Sequence, residues 1–234
     1  MLWHMKTTFG RVAVDLADLA ATFKEEVQTV QRILNFRNII MIRPHGAVET
    51  AKNRIGQSMW KLPSRMHEAP HKFDCSSLTK YVWGVQGIWL PRRPVQQLEF
   101  CRQYGLFIGN SLEDMAKMKP GDLVFVSSTY RAGEVDDSHD GYHVCLHADR
   151  DHVVCATKSE LGEGIVLIPY SKLYETRKLK AIVRVHPNPD QLFTFQIPED
   201  RDIETVDDLY RIVEQAVELD KQAAKLQQSI HPKK

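Results

Sequence analysis

Apolar positions recur along this chain with two different periods, and the change of period divides it. Between residues 11 and 34, Val12, Leu16, Leu19, Phe23, Val27, Val30 and Leu34 follow at steps of 4, 3, 4, 4, 3 and 4. That spacing lines up one stripe of a helix. Residues 47–60 resume a helical pattern, which Pro63 stops. Beyond the prolines at 63 and 70, Leu78, Tyr81, Val82 and Val85 predict a helix that opens at Cys75 and closes near Gly84 or Gly87. A short helix follows over 95–103.

The period then shortens to two. Pro120-Gly121 turns the chain into the β-branched run LVFV, and a polar loop is predicted over 129–141. The stretch GYHVCLHADRDHVVCAT alternates and breaks at 148–151, which predicts a β-hairpin. IVLIPY and AIVRV predict two more strands, with a helical turn at 171–177 between them. A last helix is predicted over 205–230. Thr205 and Asp208 open it in the manner of a capping box, and Leu209, Ile212, Ala216, Leu219, Ala223, Leu226 and Ile230 repeat at 3, 4, 3, 4, 3 and 4.

Helices followed by antiparallel strands define an α+β fold class. The shift in composition after VHPNPD divides the chain into an N-terminal helical extension (1–50), a central domain (51–190) and a C-terminal amphipathic helix (191–234). The strict stripe of that helix suits docking on the core or pairing with a second copy, a homodimer through terminal helices; both stay open.

Composition narrows the function classes. Lys plus Arg number 31 and Asp plus Glu 30, so no global charge favours nucleic acid or an anionic membrane. No apolar run approaches the ~18 residues of a membrane span. The start MLWHMKTTFGRVAV lacks the apolar core of a secretion signal, which points to a cytoplasmic protein, with export by another route left open. Four cysteines at irregular spacing are too few for a disulfide scaffold.

The candidate chemistry starts at FDCSSL. A turn that delivers Cys75 to the first turn of a helix surrounds its sulfur with unpaired backbone N–H groups and the positive end of the helix dipole. Both favour the thiolate, the nucleophilic form, and predict a pKa below the ~8.5 of a free cysteine. A buried structural cysteine is the alternative. A thiol hydrolase also needs a base, and His143 in the strand GYHVCLH is the candidate. The other readings of His143 are a core histidine or a metal ligand, because His143, Cys145 and His147 share one strand face with Cys155 nearby. Positions i, i+2 and i+4 of one strand spread over more than one ion spans, so no metal is expected. In the hairpin, equal parity places Cys155 across from Cys145 and diagonally from His143, at roughly 7–8 Å.

Four blocks then resemble the NlpC/p60 family of papain-like cysteine peptidases: FDCSSL, GIWLPRRPVQQ, MKPGDLVFV and YHVCLHADRDHVVCAT, in the family's order over about residues 51–186. The resemblance implies a papain-like arrangement, with the catalytic Cys at a helix start packed on an antiparallel sheet that carries the His. It implies cleavage of amide bonds in bacterial cell-wall stem peptides, at γ-D-glutamyl linkages, with a peptide or muropeptide as partner and no cofactor. By carry-over Cys75 is the nucleophile and His143 the base. Trp60, Asp74, Ser76 and Arg92 fall on the substrate side, Asp74 also reading as a structural residue of the helix start. The sequence departs from the family in three places. Ser77 replaces a glycine, no Pro-Tyr block precedes the cysteine, and the third catalytic position holds Cys155, so that either His152, Thr157 or a backbone carbonyl orients the imidazole or Cys75 and His143 work as a dyad. Two rival functions follow: a non-catalytic binding module on the same fold, and a thiol acyltransferase or lipid-ester hydrolase.

Overall fold

The structure is a computed structural model that describes residues 5–42, 46–127, 142–188 and 191–230. The predicted loop at 129–141 lies outside the described residues. Strands and helices segregate as an α+β fold.

The principal sheet has six strands, β5 (Leu106–Gly109), β6 (Leu123–Ser127), β7 (Tyr142–Asp149), β8 (His152–Ser159), β9 (Gly162–Pro169) and β10 (Leu179–Arg184). Their order is β5-β10-β6-β7-β8-β9, and each neighbouring pair is antiparallel. Alternation sorts the side chains to two faces. On one, Leu123, Phe125, Val144, Leu146, Val154 and Ala156 join one buried core with Leu78, Val82 and Trp83 of α4 (Cys75–Val85). On the other, Val124, Val126, Cys145, Val153, Cys155 and Ile168 pack with Tyr170 and Leu173 of α6 (Tyr170–Thr176). Helices α3 (Ala47–Lys52) and α5 (Pro94–Tyr104) flank α4, and the short parallel pair β3 (Met59–Trp60) and β4 (Lys72–Phe73) leads into it.

The sequence pattern predicted one helix over 11–34; the chain instead forms a strand and two helices, β1 (Arg11–Asp15), α1 (Leu16–Phe23) and α2 (Val27–Phe36). The Asp15 carboxylate accepts from the Ala17 amide at 2.8 Å and the Asp18 amide at 3.3 Å, so it starts α1. Lys24 ends it in the left-handed conformation, φ 55°. Val12, Ala13 and Val14 are all buried, as a strand covered on both faces requires. Likewise, the helical pattern of 47–60 yields a helix over Ala47–Lys52 alone.

Segments that flank the principal sheet in sequence form a second sheet. β1 pairs with β11 (Leu192–Gln196), which pairs with β2 (Ile40–Ile42), all antiparallel. The last helix, α7 (Val206–Ile230), lays Leu209, Val213 and Val217 against Leu16, Leu19, Val30 and Leu34 in a second core. Its stripe is thus partly used within the chain, while Leu219 and Leu226 remain exposed. This terminal unit also holds the end of α4. Arg11 Nη1 donates to Val85 O at 2.6 Å, Thr194 Oγ1 to Gln86 O at 2.6 Å, and the Ala13 amide to Gly87 O at 3.2 Å. These carbonyls lack helical partners, and a guanidinium suits the negative end of the helix dipole. Gly87 has φ +89°, and a Cβ there would stand 2.5 Å from the Ala13 nitrogen, so only glycine permits this approach. No described helix is long and apolar enough to cross a membrane.

Candidate active site

The first turn of α4 is built by local hydrogen bonds. The Asp74 carboxylate caps it by accepting from the Ser77 amide at 2.9 Å, and the Ser77 hydroxyl accepts from the Asp74 amide at 2.9 Å. Ser77 therefore serves the turn itself. The other Asp74 oxygen accepts from the Ser64 amide at 2.9 Å, tying the preceding loop to the helix start. Arg92 adds an ion pair, reaching Asp74 Oδ1 from Nη1 at 3.1 Å and Oδ2 from Nη2, and the Ser76 hydroxyl at 2.9 Å. Gln97 closes the arrangement, its amide donating to Ser76 O and Pro91 O, each at 2.9 Å, while accepting from Thr79 Oγ1 at 2.7 Å. Sequence reasoning placed Gln97 in the GIWLPRRPVQQ block without a role; the fold makes it a clamp on the helix start.

Cys75 and His143 line one cleft of about 560 Å³, together with all four residues read as substrate-side, Trp60, Asp74, Ser76 and Arg92. Both side chains are half-buried. Burial pushes the Cys75 thiol up, and the Asp74 carboxylate adds to this; the amides of Val144 and Ser76 and the Arg92 guanidinium pull the other way. The expected low thiol pKa is therefore not what this environment produces, because desolvation of the thiolate outweighs the helix-start amides. Burial also pushes the His143 imidazole down to about 3, with the Arg177 guanidinium contributing. Burial thus disfavours the charged form of both cleft residues.

The third position behaves differently from the readings of the sequence. Cys155 does lie across from Cys145, and the two sulfurs are joined in a disulfide with Cα atoms 4.8 Å apart. Bonded in this way, Cys155 has no proton to donate and cannot orient an imidazole. His152 sits at the hairpin turn, where its Nδ1 bonds Asp149 Oδ1 at 2.8 Å, so it does not substitute either. Thr157 lines the cleft, but its hydroxyl pairs with Ser159 Oγ at 3.1 Å. Among the described residues, no hydrogen bond reaches the His143 ring.

The fold also brings to the cleft residues that sequence reasoning missed: Arg65, Arg93, Lys158 and Arg177, which with Arg92 make a strongly basic lining. Arg177 stands out. Only 5% exposed, it donates from Nη1 to Ser127 O at 3.1 Å, leaves Nε without a partner among the described residues, and acts electrostatically on both Cys75 and His143. No local motif marks it, since its neighbours come from distant strands. For a metal, the donor set His143, Cys145 and Cys155 places its ligand atoms within 4.8 Å of one another. His147 is elsewhere, its Nδ1 2.7 Å from the Tyr170 hydroxyl.

A family model described as the NlpC/P60 family matches residues 61–184. Among solved structures, the chain is similar to NlpC2 from Trichomonas vaginalis, with 19% identity and a TM-score of 0.46 over 59% of this chain and 45% of that one. It is similar to an NLP/P60 family protein from Staphylococcus aureus, at 24% identity and a TM-score of 0.43, over 61% and 42% of the two chains. It is also similar to the peptidoglycan hydrolase RipB from Mycobacterium tuberculosis, at 19% identity and a TM-score of 0.40, over 74% and 90%. The match spans less than half the length of the first two proteins. No curated protein matches the chain.

Proposed function

The chain belongs to the NlpC/P60 family, and from that premise we propose that it is a cysteine peptidase of the cell-wall type, hydrolysing amide bonds in stem peptides at γ-D-glutamyl linkages. The observation that carries this reading is the convergence of Cys75, at the start of α4, and His143, on β7, on one cleft. The basic lining adds support, because stem peptides carry free carboxylates that guanidinium groups pair with well.

In the proposed mechanism His143 takes the thiol proton as Cys75 Sγ attacks the scissile carbonyl carbon, and burial, which disfavours both charged forms, makes the ion pair a species of the step itself. The carbonyl π bond opens, and the oxyanion faces amides at the start of α4. On collapse the C–N bond breaks and the leaving amine takes the proton from His143. Water, deprotonated by the same imidazole, then cleaves the thioester, releasing the acid and restoring the thiol. Asp74, Arg92 and Gln97 hold the helix start in place and take no proton.

A second reading has its own support. The disulfide that takes Cys155 out of the third position suits a binding module that keeps the groove and has lost turnover. One experiment separates the two: incubate the protein and its Cys75→Ala variant with muropeptides, ordinary peptides and thioesters, and identify products by mass spectrometry. Cleavage of muropeptides by the parent alone supports the peptidase. Binding of muropeptides by both without cleavage supports the module, and turnover of thioesters alone points to acyl transfer.

A further inference from the structure

The hairpin of β7 and β8 brings together three soft donors that the proposed reaction does not use as a set. The sulfurs of Cys145 and Cys155 and a ring nitrogen of His143 all lie within 4.8 Å of one another. The sequence argues against a metal because three positions of one strand lie too far apart. The fold removes that objection by replacing the distant His147 with Cys155 from the neighbouring strand, directly opposite Cys145. In a tetrahedral zinc site, Zn–S bonds of about 2.3 Å and Zn–N bonds of about 2.0–2.1 Å set donors roughly 3.5–3.8 Å apart. Side-chain rotation at directly opposed positions covers that range once the sulfurs are no longer bonded.

We propose that, in the reduced protein, Cys145, Cys155 and His143 form a binding site for one zinc ion, and that the disulfide is the closed state of that site. The step balances. A dithiol reductant supplies two electrons and two protons and is itself oxidised to a disulfide, giving two thiols at 145 and 155. Zinc binding then releases those two protons. Two thiolates and a neutral imidazole cancel the charge of the divalent ion, so the complex adds no net charge beside Val124, Val126, Val153 and Ile168. Two sulfurs and one nitrogen favour a borderline-soft ion over magnesium or calcium. Of the three donors, His143 alone lines the cleft, while Cys145 and Cys155 are fully buried. One consequence rests on the reading of His143 as base: zinc on either ring nitrogen leaves the proton on the other, so the imidazole cannot take the Cys75 proton and turnover stops.

The test needs no turnover, so it stands apart from the proposed activity. The full-length Cys75→Ala variant, which lacks the cleft thiol, is reduced with a dithiol, freed of reductant under argon and titrated with cobalt(II). The expected result is a sulfur-to-cobalt charge-transfer absorption that saturates at one ion per chain and is displaced by zinc. It disappears in Cys145→Ser and in Cys155→Ser and weakens at least about tenfold in His143→Ala, since even outer-shell changes cost 10–100-fold. Reoxidising the same unsubstituted hairpin abolishes it, a control that does not depend on either serine variant folding. No absorption in the reduced chain, or absorption that survives reoxidation, overturns the site.

Discussion

Arg92 holds Asp74 by both of its terminal nitrogens, and through Asp74 it holds the turn that presents Cys75. The carboxylate is 3% exposed and its partner 36%, so the pair sits at the boundary between core and cleft. Asp74 also caps α4 and accepts from Ser64, which means that one side chain joins the loop, the helix start and the LPRR segment.

Removing that junction leaves several donors unpaired at once. Asp74→Ala is expected to cost about 3 kcal/mol, within the range for breaking a buried pair and losing a cap. Asp74→Asn, which keeps a cap oxygen, is expected to cost less. Urea unfolding of the three proteins measures this; an alanine variant with an unchanged midpoint would show that Asp74 does not support the turn.

Alkylation of Cys75 is expected to be slow at pH 7 and to reach its half-maximal rate above the ~8.5 of a free thiol, because burial raises this group. Cys101, fully buried and pushed far up by burial, should label more slowly still. Mass-spectrometric labelling rates between pH 6 and 10 decide the matter. A Cys75 midpoint below 8.5 would mean that the helix-start amides outweigh desolvation after all.

His143→Ala is expected to lower kcat/KM by about 10²–10⁴, the usual contribution of a general base. Cys155→Ser is expected to keep most of the turnover, since that sulfur is bonded to Cys145 and does not orient the ring. Kinetics of both variants on one cleaved substrate provide the comparison. A Cys155→Ser variant as inactive as His143→Ala would make Cys155 part of the catalytic machinery.

The stripe of α7 is expected to split in its energetics. Leu209 is fully buried against α1 and α2, so Leu209→Ala should cost about 2–5 kcal/mol. Leu226 is 63% exposed, and Leu226→Ala should stay within about 0.5 kcal/mol of the parent. Thermal denaturation tests both. If Leu226→Ala also destabilises the protein, and does so in proportion to concentration, the outer stripe is covered by a second copy.

Much of the site was legible because it is local. An aspartate before Cys75, a serine three positions on and an apolar helical run specify a capped helix from contacts spanning a few residues. The hairpin was equally readable, since two apolar segments flank a short polar break at 148–151 that sets the turn; the parity counted from that turn placed Cys155 opposite Cys145. The α7 helix was readable from its long and regular stripe. In each case neighbouring residues carry the physical cause.

Only the tertiary structure decided the rest. The runs RVAVD and LFTFQ are too short for periodicity to tell strand from helix, and what makes them strands is pairing between residues as far apart in sequence as Val12 and Phe195. The charge state of Cys75 and His143 depends on how much water the packed fold removes, and here that outweighs the helix-start effect that the sequence suggests. Arg177 joins the cleft because the last strands of the sheet return beside β6. The exchange of His147 for Cys155 in the donor cluster likewise rests on strand pairing, which brings opposed residues closer than second neighbours along a single strand.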